Sequence, residues 1–362
     1  MASKRTYWAI TALGTGPEGI VNGTGVTTAN FMKGVQSVGI STTFNLEQVF
    51  QLGQLEIYQD VEDIPDIEIS IEKVIDDTAL AYQAGVGQAT VGGSVEKLAD
   101  GDILKLTEIQ NNKVDAYITI QPDTAEAAGD TGTGKTTESY VWCSGMYVSS
   151  ASFSFPVDGN FTESVTLVGN HKKWYAGGAT KKLVGAPTTT PDALHTGDVS
   201  KRHNFQFESI PVSIQPAGAT DGFRGDAVIT SVSISTDFGR EKINHLGGKV
   251  PYHRYVTFPI EVTCDIEVVI NDAMAQDVDA LPLRDQNSTE EIIKIAIWDD
   301  HIDNAGGIST AAATGDRNHL FDLGTKNKLS SITYGGGDTG GGNATYSYSY
   351  RNFNKMDITY KS

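Results

Sequence analysis

One segment of this chain occurs twice, and that restricts the possible folds more than any other feature. Ser37 to Pro65, SVGISTTFNLEQVFQLGQLEIYQDVEDIP, returns as SVSISTDFGREKINHLGGKVPYHRYVTFP at Ser231 to Pro259. At a constant shift of 194 residues, 11 of the 29 positions are identical, among them Phe44/Phe238, Gly53/Gly247, Tyr58/Tyr252 and Pro65/Pro259. Composition alone would give about two matches. If Asp66 is treated as one extra residue, IEISIE (Ile67 to Glu72) also lies over IEVTCD (Ile260 to Asp265). A second block, GNFTES from Gly159, corresponds to GNATYS from Gly342 at a shift of 183. Two blocks in the same order predict tandem units of roughly 180 residues each.

The bounds that follow are an N-terminal arm over 1–34, a first unit over 35–180, a linker or surface insertion over 181–203 and a second unit over 204–362. The arm is Gly/Thr-rich and little periodic, as expected of a segment that orders on contact with a neighbour. The insertion carries Gly-Gly and Thr-Thr-Thr-Pro with no apolar period.

Both units read as mainly β. The 39 glycines, the abundant Ser and Thr and the short apolar runs point to strands and turns. Val114 to Ile120 and Tyr147 to Phe155 alternate, and PVDGN at Pro156 to Asn160 supplies a turn into FTESVTLV. In the second unit, strands are expected over Phe205 to Ile214, Val228 to Phe238, Tyr255 to Ile270, Ile292 to Trp298, Ser330 to Tyr334 and Ala344 to Tyr350. Ser94 to Ala99 and Asp272 to Leu281 are the short-helix candidates, giving one or two such helices per unit.

The alternation also assigns faces. Ile67, Ile69 and Ile71 turn to a core while Glu68, Ser70 and Glu72 turn to water. In the second unit Ile260, Val262, Cys264 and Ile266 turn inward, and Glu261, Thr263, Asp265 and Glu267 outward. Thr162, Ser164 and Thr166, with Thr345, Ser347 and Ser349, add hydroxyls to the outward face.

The net charge of −18 argues against a surface that grips polyphosphate. Cys143 and Cys264 are too few for a disulfide framework or a four-thiolate zinc site, and read as buried strand thiols. No apolar run reaches membrane-spanning length. Thr6 and Thr11 interrupt the apolar run after the first basic residues, so synthesis in a cytoplasm is expected.

The sharpest enzymatic signal is GDTGTGKT, Gly129 to Thr136, which satisfies G-x-x-x-x-G-K-[ST]. A phosphate loop needs a strand running into it and a helix leaving it. Here the preceding strand stops near Gln121 and the following TESYVWCSGMYVSS is β-branched and aromatic, so a hairpin tip is expected instead. His301 beside Asp299 and Asp300 is the one local His/acid group, and it reads as a solvated turn. No catalytic constellation emerges, and the chain reads as a non-enzyme without a cofactor. Trp8, Trp142, Trp174 and Trp298 lie in or beside strands and are expected to be buried.

Three stretches carry a family resemblance: FNLEQVFQLGQLEIYQDVEDIPDIEISIEKVIDD (Phe44 to Asp77), FPVDGNFTESVTLVGNHKKW (Phe155 to Trp174) and GTKNKLSSITYGGGDTGGGNATYSYSYRNFN (Gly324 to Asn354). In this order they resemble phage tail tube proteins, over about a quarter of the chain. The resemblance implies β-sandwich or split-barrel units that contribute strands to a ring with a continuous inner β-barrel. Such rings stack into a virion tail tube that conducts double-stranded DNA to the host without specific binding, and contact other tail proteins. Members often carry one unit and form hexamers; two units per chain imply three chains per ring with pseudo-sixfold symmetry, or six. The outward residues named above would then face the lumen. Leu52, Tyr58, Leu246 and Tyr252, on the tips between the long strands, would join ring to ring. Tubes of secretion systems or pyocin-like particles are near neighbours, and a virion adhesin or carbohydrate-binding β-sandwich is the alternative of another class.

Overall fold

The computed structural model describes residues 6–7, 11–18, 26–86, 90–91, 94–95, 101–107, 111–122, 124–125, 127–128, 136–178, 181–184, 186, 199–211, 214, 228–248, 251–269, 291–298, 317–336 and 343–360. The first half holds β1 (Thr11–Pro17), β2 (Asn30–Phe31), β3 (Val35–Thr43), β4 (Leu46–Phe50), β5 (Ile57–Glu62) and β6 (Asp66–Val74). Helix α1 (Ala81–Val86) and the short strands β7 (Thr90–Val91), β8 (Ser94–Val95) and β9 (Ile103–Lys105) follow. Then come β10 (Val114–Ile120), β11 (Thr137–Pro156), β12 (Thr162–Gly169) and β13 (His171–Gly178). The second half holds β14 (Phe205–Ser209), β15 (Val228–Asp237), β16 (Glu241–Ile243), β17 (His253–Tyr255) and β18 (Glu261–Val269). It ends with β19 (Lys294–Trp298), β20 (Arg317–Asp322), β21 (Lys328–Gly335), β22 (Thr345–Phe353) and β23 (Asp357–Tyr360).

The architecture is mainly β, built from several antiparallel sheets, and no sheet closes into a barrel among the described residues. Its centre is a run of eight antiparallel strands in the order β3-β6-β12-β11-β15-β18-β22-β21. The first four and the last four strands are connected alike. In each set a long strand leads into a two-stranded hairpin, β4–β5 or β16–β17, and returns as its own neighbour. β11 and β15 join the two sets edge to edge. A bulge interrupts the pairing at Val148/Ser150 in β11 and again at Leu329/Ser331 in β21.

β11 is long enough to serve two sheets. Its first part pairs with β10 and β13, and its second part with β12 and β15. The change of direction falls at Gly145, whose φ of 63° suits glycine, and whose N–H donates to the Asp115 carboxylate at 3.0 Å. A five-stranded sheet, β14-β19-β20-β23-β9, packs against the eight-stranded run. Phe153 and Phe155 of β11 meet Phe321 of β20 with ring centroids 4.9 and 5.6 Å apart. One apolar cluster spans both halves, from Ile69 and Leu167 through Phe153 and Ile234 to Ile266, Ile295 and Ile358. A smaller one, with Tyr117, Trp142 and Leu183, lies under β1 and β10.

Several expectations change. Thr11–Pro17 lies in the expected arm, yet it is β1, fully paired with β10, because Ala12 and Leu13 supply buried side chains. The expected helix at Ser94 to Ala99 begins instead as β8, which pairs with β7. The helix that does form, α1, gives no sequence signal because AYQAGV is a turn and a half containing glycine. The expected strand from Tyr255 to Ile270 is broken at Pro259, which has no N–H for a ladder. Trp142 is buried, but Trp174 is 57 % exposed on β13. Asp272 to Leu281 lies outside the described residues.

Candidate functional site

The eight-stranded run has one face on the core and one in water, and its polar residues line up across strands. Glu72 sits opposite Ser37 and Ser164, Ser164 opposite Ser152, Ser152 opposite Ser235, and Ser235 opposite Thr263. Ser70 and Thr166 form a neighbouring pair, and Asp265 lies between Ser233 and Ser349. Glu267 faces Ser347, and Thr345 continues that edge of the face. Glu68, Ser70, Glu72, Thr162, Ser164, Thr166, Glu261, Thr263, Asp265, Glu267, Thr345, Ser347 and Ser349 are all on this side, and none is buried. Their immediate partners across β15 and β18 spread the same chemistry, as in the Ser235–Thr263 hydroxyl pair at 2.6 Å. A shallow trough lined by Ser152, Ser164, Asp237, Glu261 and Thr263 marks the middle of the face.

The face is not free of basic groups. Arg351 lies opposite both Thr263 and Lys328, and its guanidinium is 3.7 Å from Glu261. Sequence reasoning stopped at Ser349, although continuing the same alternation by one step reaches Arg351. Asp237 and the serines of β11 and β15 belong to the face as well and were equally missed.

Where the halves meet, β16–β17 of the second half is clamped onto the first. Asp66 at the start of β6 accepts from Lys242 Nζ at 2.9 Å, from Arg254, and from Asn45 and Asn170 amides at 3.1 Å each. Burial alone would raise the Asp66 carboxyl, but the hydrogen bonds from Lys242, Asn45 and Arg254 outweigh it and hold the pKa at about 2. Arg240 Nε donates to the Val148 carbonyl at 2.7 Å, and its guanidinium lies 4.8 Å from the centre of the Tyr147 ring.

Both hairpin tips carry exposed apolar side chains. Every residue of β4 and β5 is exposed. Leu52, Leu55, Phe50 and Tyr58 project from the first tip, and Leu246 and Tyr252 from the second. Tyr252 meets His245 edge-on, with ring centroids 6.2 Å apart, while Leu52, Leu55 and Leu246 are fully exposed, and such exposed apolar groups mark contact surfaces.

Beneath the sheet, three charges sit on the core side. Lys73 and Glu163 are cross-strand partners, and Lys73 Nζ is 2.8 Å from Asp76. Both Glu163 oxygens accept backbone N–H bonds, from Ala81 and Tyr82 at 2.7 Å each, fixing the start of α1. Burial pushes the Glu163 carboxyl up to about 7 against the pull of Lys73 and those two N–H donors. Burial would raise Asp76 too, but the Lys73 ammonium keeps it below the usual range.

Among the described residues, no group of three metal-ligating side chains occurs, and no helix is long and apolar enough to cross a membrane. The region that follows Gly129 to Thr136 leaves as strand β11 rather than as the helix a phosphate loop requires. Residues 129–135 and the Asp299, Asp300 and His301 group lie outside the described residues. Cys143 and Cys264 are buried free thiols on β11 and β18, and burial raises both. No protein-family model matches the chain, and no curated protein matches it.

Proposed function

We propose that this chain is the subunit of a virion tail tube, in which copies join edge to edge into rings and the rings stack around a bore that conducts double-stranded DNA. The observation that carries the reading is the eight-strand run itself. It repeats one four-strand pattern, keeps one face polar and, among the described residues, ends in β3 and β21, each paired on one edge only. Three chains would give about 24 wall strands; at ~4.8 Å spacing and ~40° tilt the backbone diameter is roughly 48 Å, leaving about 35 Å inside the side chains. A duplex about 20 Å across fits. The polar face would line the bore, offering carboxylates and hydroxyls with Arg351 and Lys328 as local exceptions, so phosphates would slide rather than bind. The exposed tips bearing Leu52, Tyr58, Leu246 and Tyr252 would bridge successive rings.

Electron microscopy of the purified protein tests this. Open tubes with a regular axial repeat are expected, and discrete globules would overturn the reading. The mass of an isolated ring then separates three chains from six. Exposed Trp174, Tyr58 and Tyr252 favour one second reading, a carbohydrate-binding virion sandwich, which monomers retained on a glycan array would select. DNA inside tubes recovered from particles separates a phage tail from a secretion or pyocin-like tube.

A further inference from the structure

We infer that β21 of one chain pairs antiparallel with β3 of a second copy, in the register that β11 and β15 already use within the chain. The inference rests on the edge-to-edge joining in the proposed function, and not on what the bore conducts.

The two free edges are the counterparts of the two strands joined at the internal seam. β3 matches β15 at a shift of 194, residue for residue from Val35/Ile229 to Thr43/Asp237. β21 matches β11 at a shift of 181, as their pairings show. Val148 lies opposite Leu167 as Leu329 lies opposite Tyr350, and Ser154 opposite Thr162 as Gly335 opposite Thr345. The bulge residue also corresponds, Ser149 in one strand and Ser330 in the other.

At the seam Ser150 pairs with Asp237, Ala151 with Thr236, Ser152 with Ser235, Phe153 with Ile234 and Ser154 with Ser233. Carried to the free edges, this puts Ser331 opposite the second copy's Thr43, Ile332 opposite Thr42, Thr333 opposite Ser41, Tyr334 opposite Ile40 and Gly335 opposite Gly39. The amide of Phe238 donates to the Ser149 carbonyl at 2.9 Å. Its counterpart would run from Phe44 to Ser330.

Exposure marks what is missing at the edges. Phe153 is 1 % exposed at the seam, and its counterpart Tyr334 is 60 % exposed; Phe238 is 0 % exposed, and its counterpart Phe44 is 69 %. Ile234 and Val232 are fully covered, while Ile40 and Val38 are only half-buried. Long strands with one open edge and apolar flanks are surfaces that natural proteins pair or block, and β3 and β21 carry no blocking proline. Because β3 and β21 are different surfaces, the contact is head-to-tail, which excludes a two-fold dimer and builds a ring when the rotation between copies closes. The clamp at Asp66 is not copied. Arg240, Lys242 and Arg254 correspond to Leu46, Gln48 and Asp60, so the contact between chains lacks the basic groups of the internal seam.

Disulfide trapping in the full chain tests the register. The bonds from Phe238 to Ser149 and from Val157 to Thr230 make Ser152 and Ser235 a non-hydrogen-bonded pair. In such pairs Cα atoms lie about 4.5 Å apart, within disulfide reach. Ser41→Cys with Thr333→Cys copies that geometry between chains, and both positions are exposed. Under mild oxidation this variant is expected to give covalent oligomers that end at the closed ring. Ser41→Cys with Gly335→Cys, two residues out of register, should link at least about tenfold more slowly. Ser152→Cys with Ser235→Cys, at the internal seam, is the positive control. If rings form and the control links, faster trapping of the displaced pair, or none of the matched pair, overturns the register while leaving the tube in place. Wild-type protein that stays monomeric by mass measurement overturns the tube reading itself.

Discussion

Ser37 donates its hydroxyl to Glu72 Oε2 at 3.2 Å, and Ser231 makes the corresponding bond to Glu267, also at 3.2 Å. The two halves thus hold a carboxylate in the same way on the same face, and the pairing sets Ile67 to Glu72 against Val262 to Glu267, two residues on from the Ile260 to Asp265 that the sequence match implies. Lysine at Glu68, Glu72, Glu261 and Asp265 should leave tube assembly intact but slow DNA ejection, most at low salt, where screening is weakest. Ejection timed across ionic strengths checks this; equal rates at every salt concentration would mean that this face does not meet DNA.

Deleting residues 54–62 removes the exposed end of the first hairpin, none of whose side chains is buried. Folded rings that fail to elongate are the expected product. Long tubes from the deletion variant in negative-stain images would assign ring stacking to other surfaces.

Glu163 supplies a pH dependence. Its folded pKa, about 7, lies above the usual 4.5, so its contribution is complete below about pH 4.5 and is lost as pH rises through 7. Comparing urea unfolding of wild type and Glu163→Gln should show a difference that changes by about 3 kcal/mol across that window. The variant should also lose roughly 1–3 kcal/mol at all pH values, because glutamine has one oxygen for the two N–H donors of α1. Parallel pH profiles would contradict the assignment.

Asp66 has the opposite sign. Held at about 2, it stabilises the clamp above the ordinary carboxylate pKa near 3.8, and that contribution fades as pH falls toward 2. Asp66→Asn should speed hydrogen exchange in β16 and β17 at pH 6 and narrow the gap to wild type at pH 3. Exchange unchanged at pH 6 would show that Lys242 and Arg254 hold the hairpin without it.

The sheet faces were legible because alternation over Ile67 to Glu72 and Ile260 to Asp265 has one physical cause, a core on one side only. Lys73 and Glu163 were not, since each occupies a core-facing position that sequence rules reserve for apolar groups, and only their pairing across β6 and β12 makes the burial tolerable. The alternation places the start of β11 at Tyr147, because Gly145 interrupts it where the strand turns from one sheet to the other. The core shared by the two halves has no signature in the sequence for a related reason. A sequence repeat predicts two units, but not that Phe153 in the first half packs on Phe321 in the second.

The pairing of β9 with β23 places Leu104 beside Ile358, 254 residues later in the chain (358 − 104). Translation at roughly 5–20 residues per second would leave β9 waiting on the order of 13–50 s for its neighbour. Until then Ile358 is absent from the interior, and the five-stranded layer behind the polar sheet is unfinished. Completion of that layer is therefore timed by the ribosome, and a nascent chain reaches the shape that can join a neighbour only after Ile358 has been made.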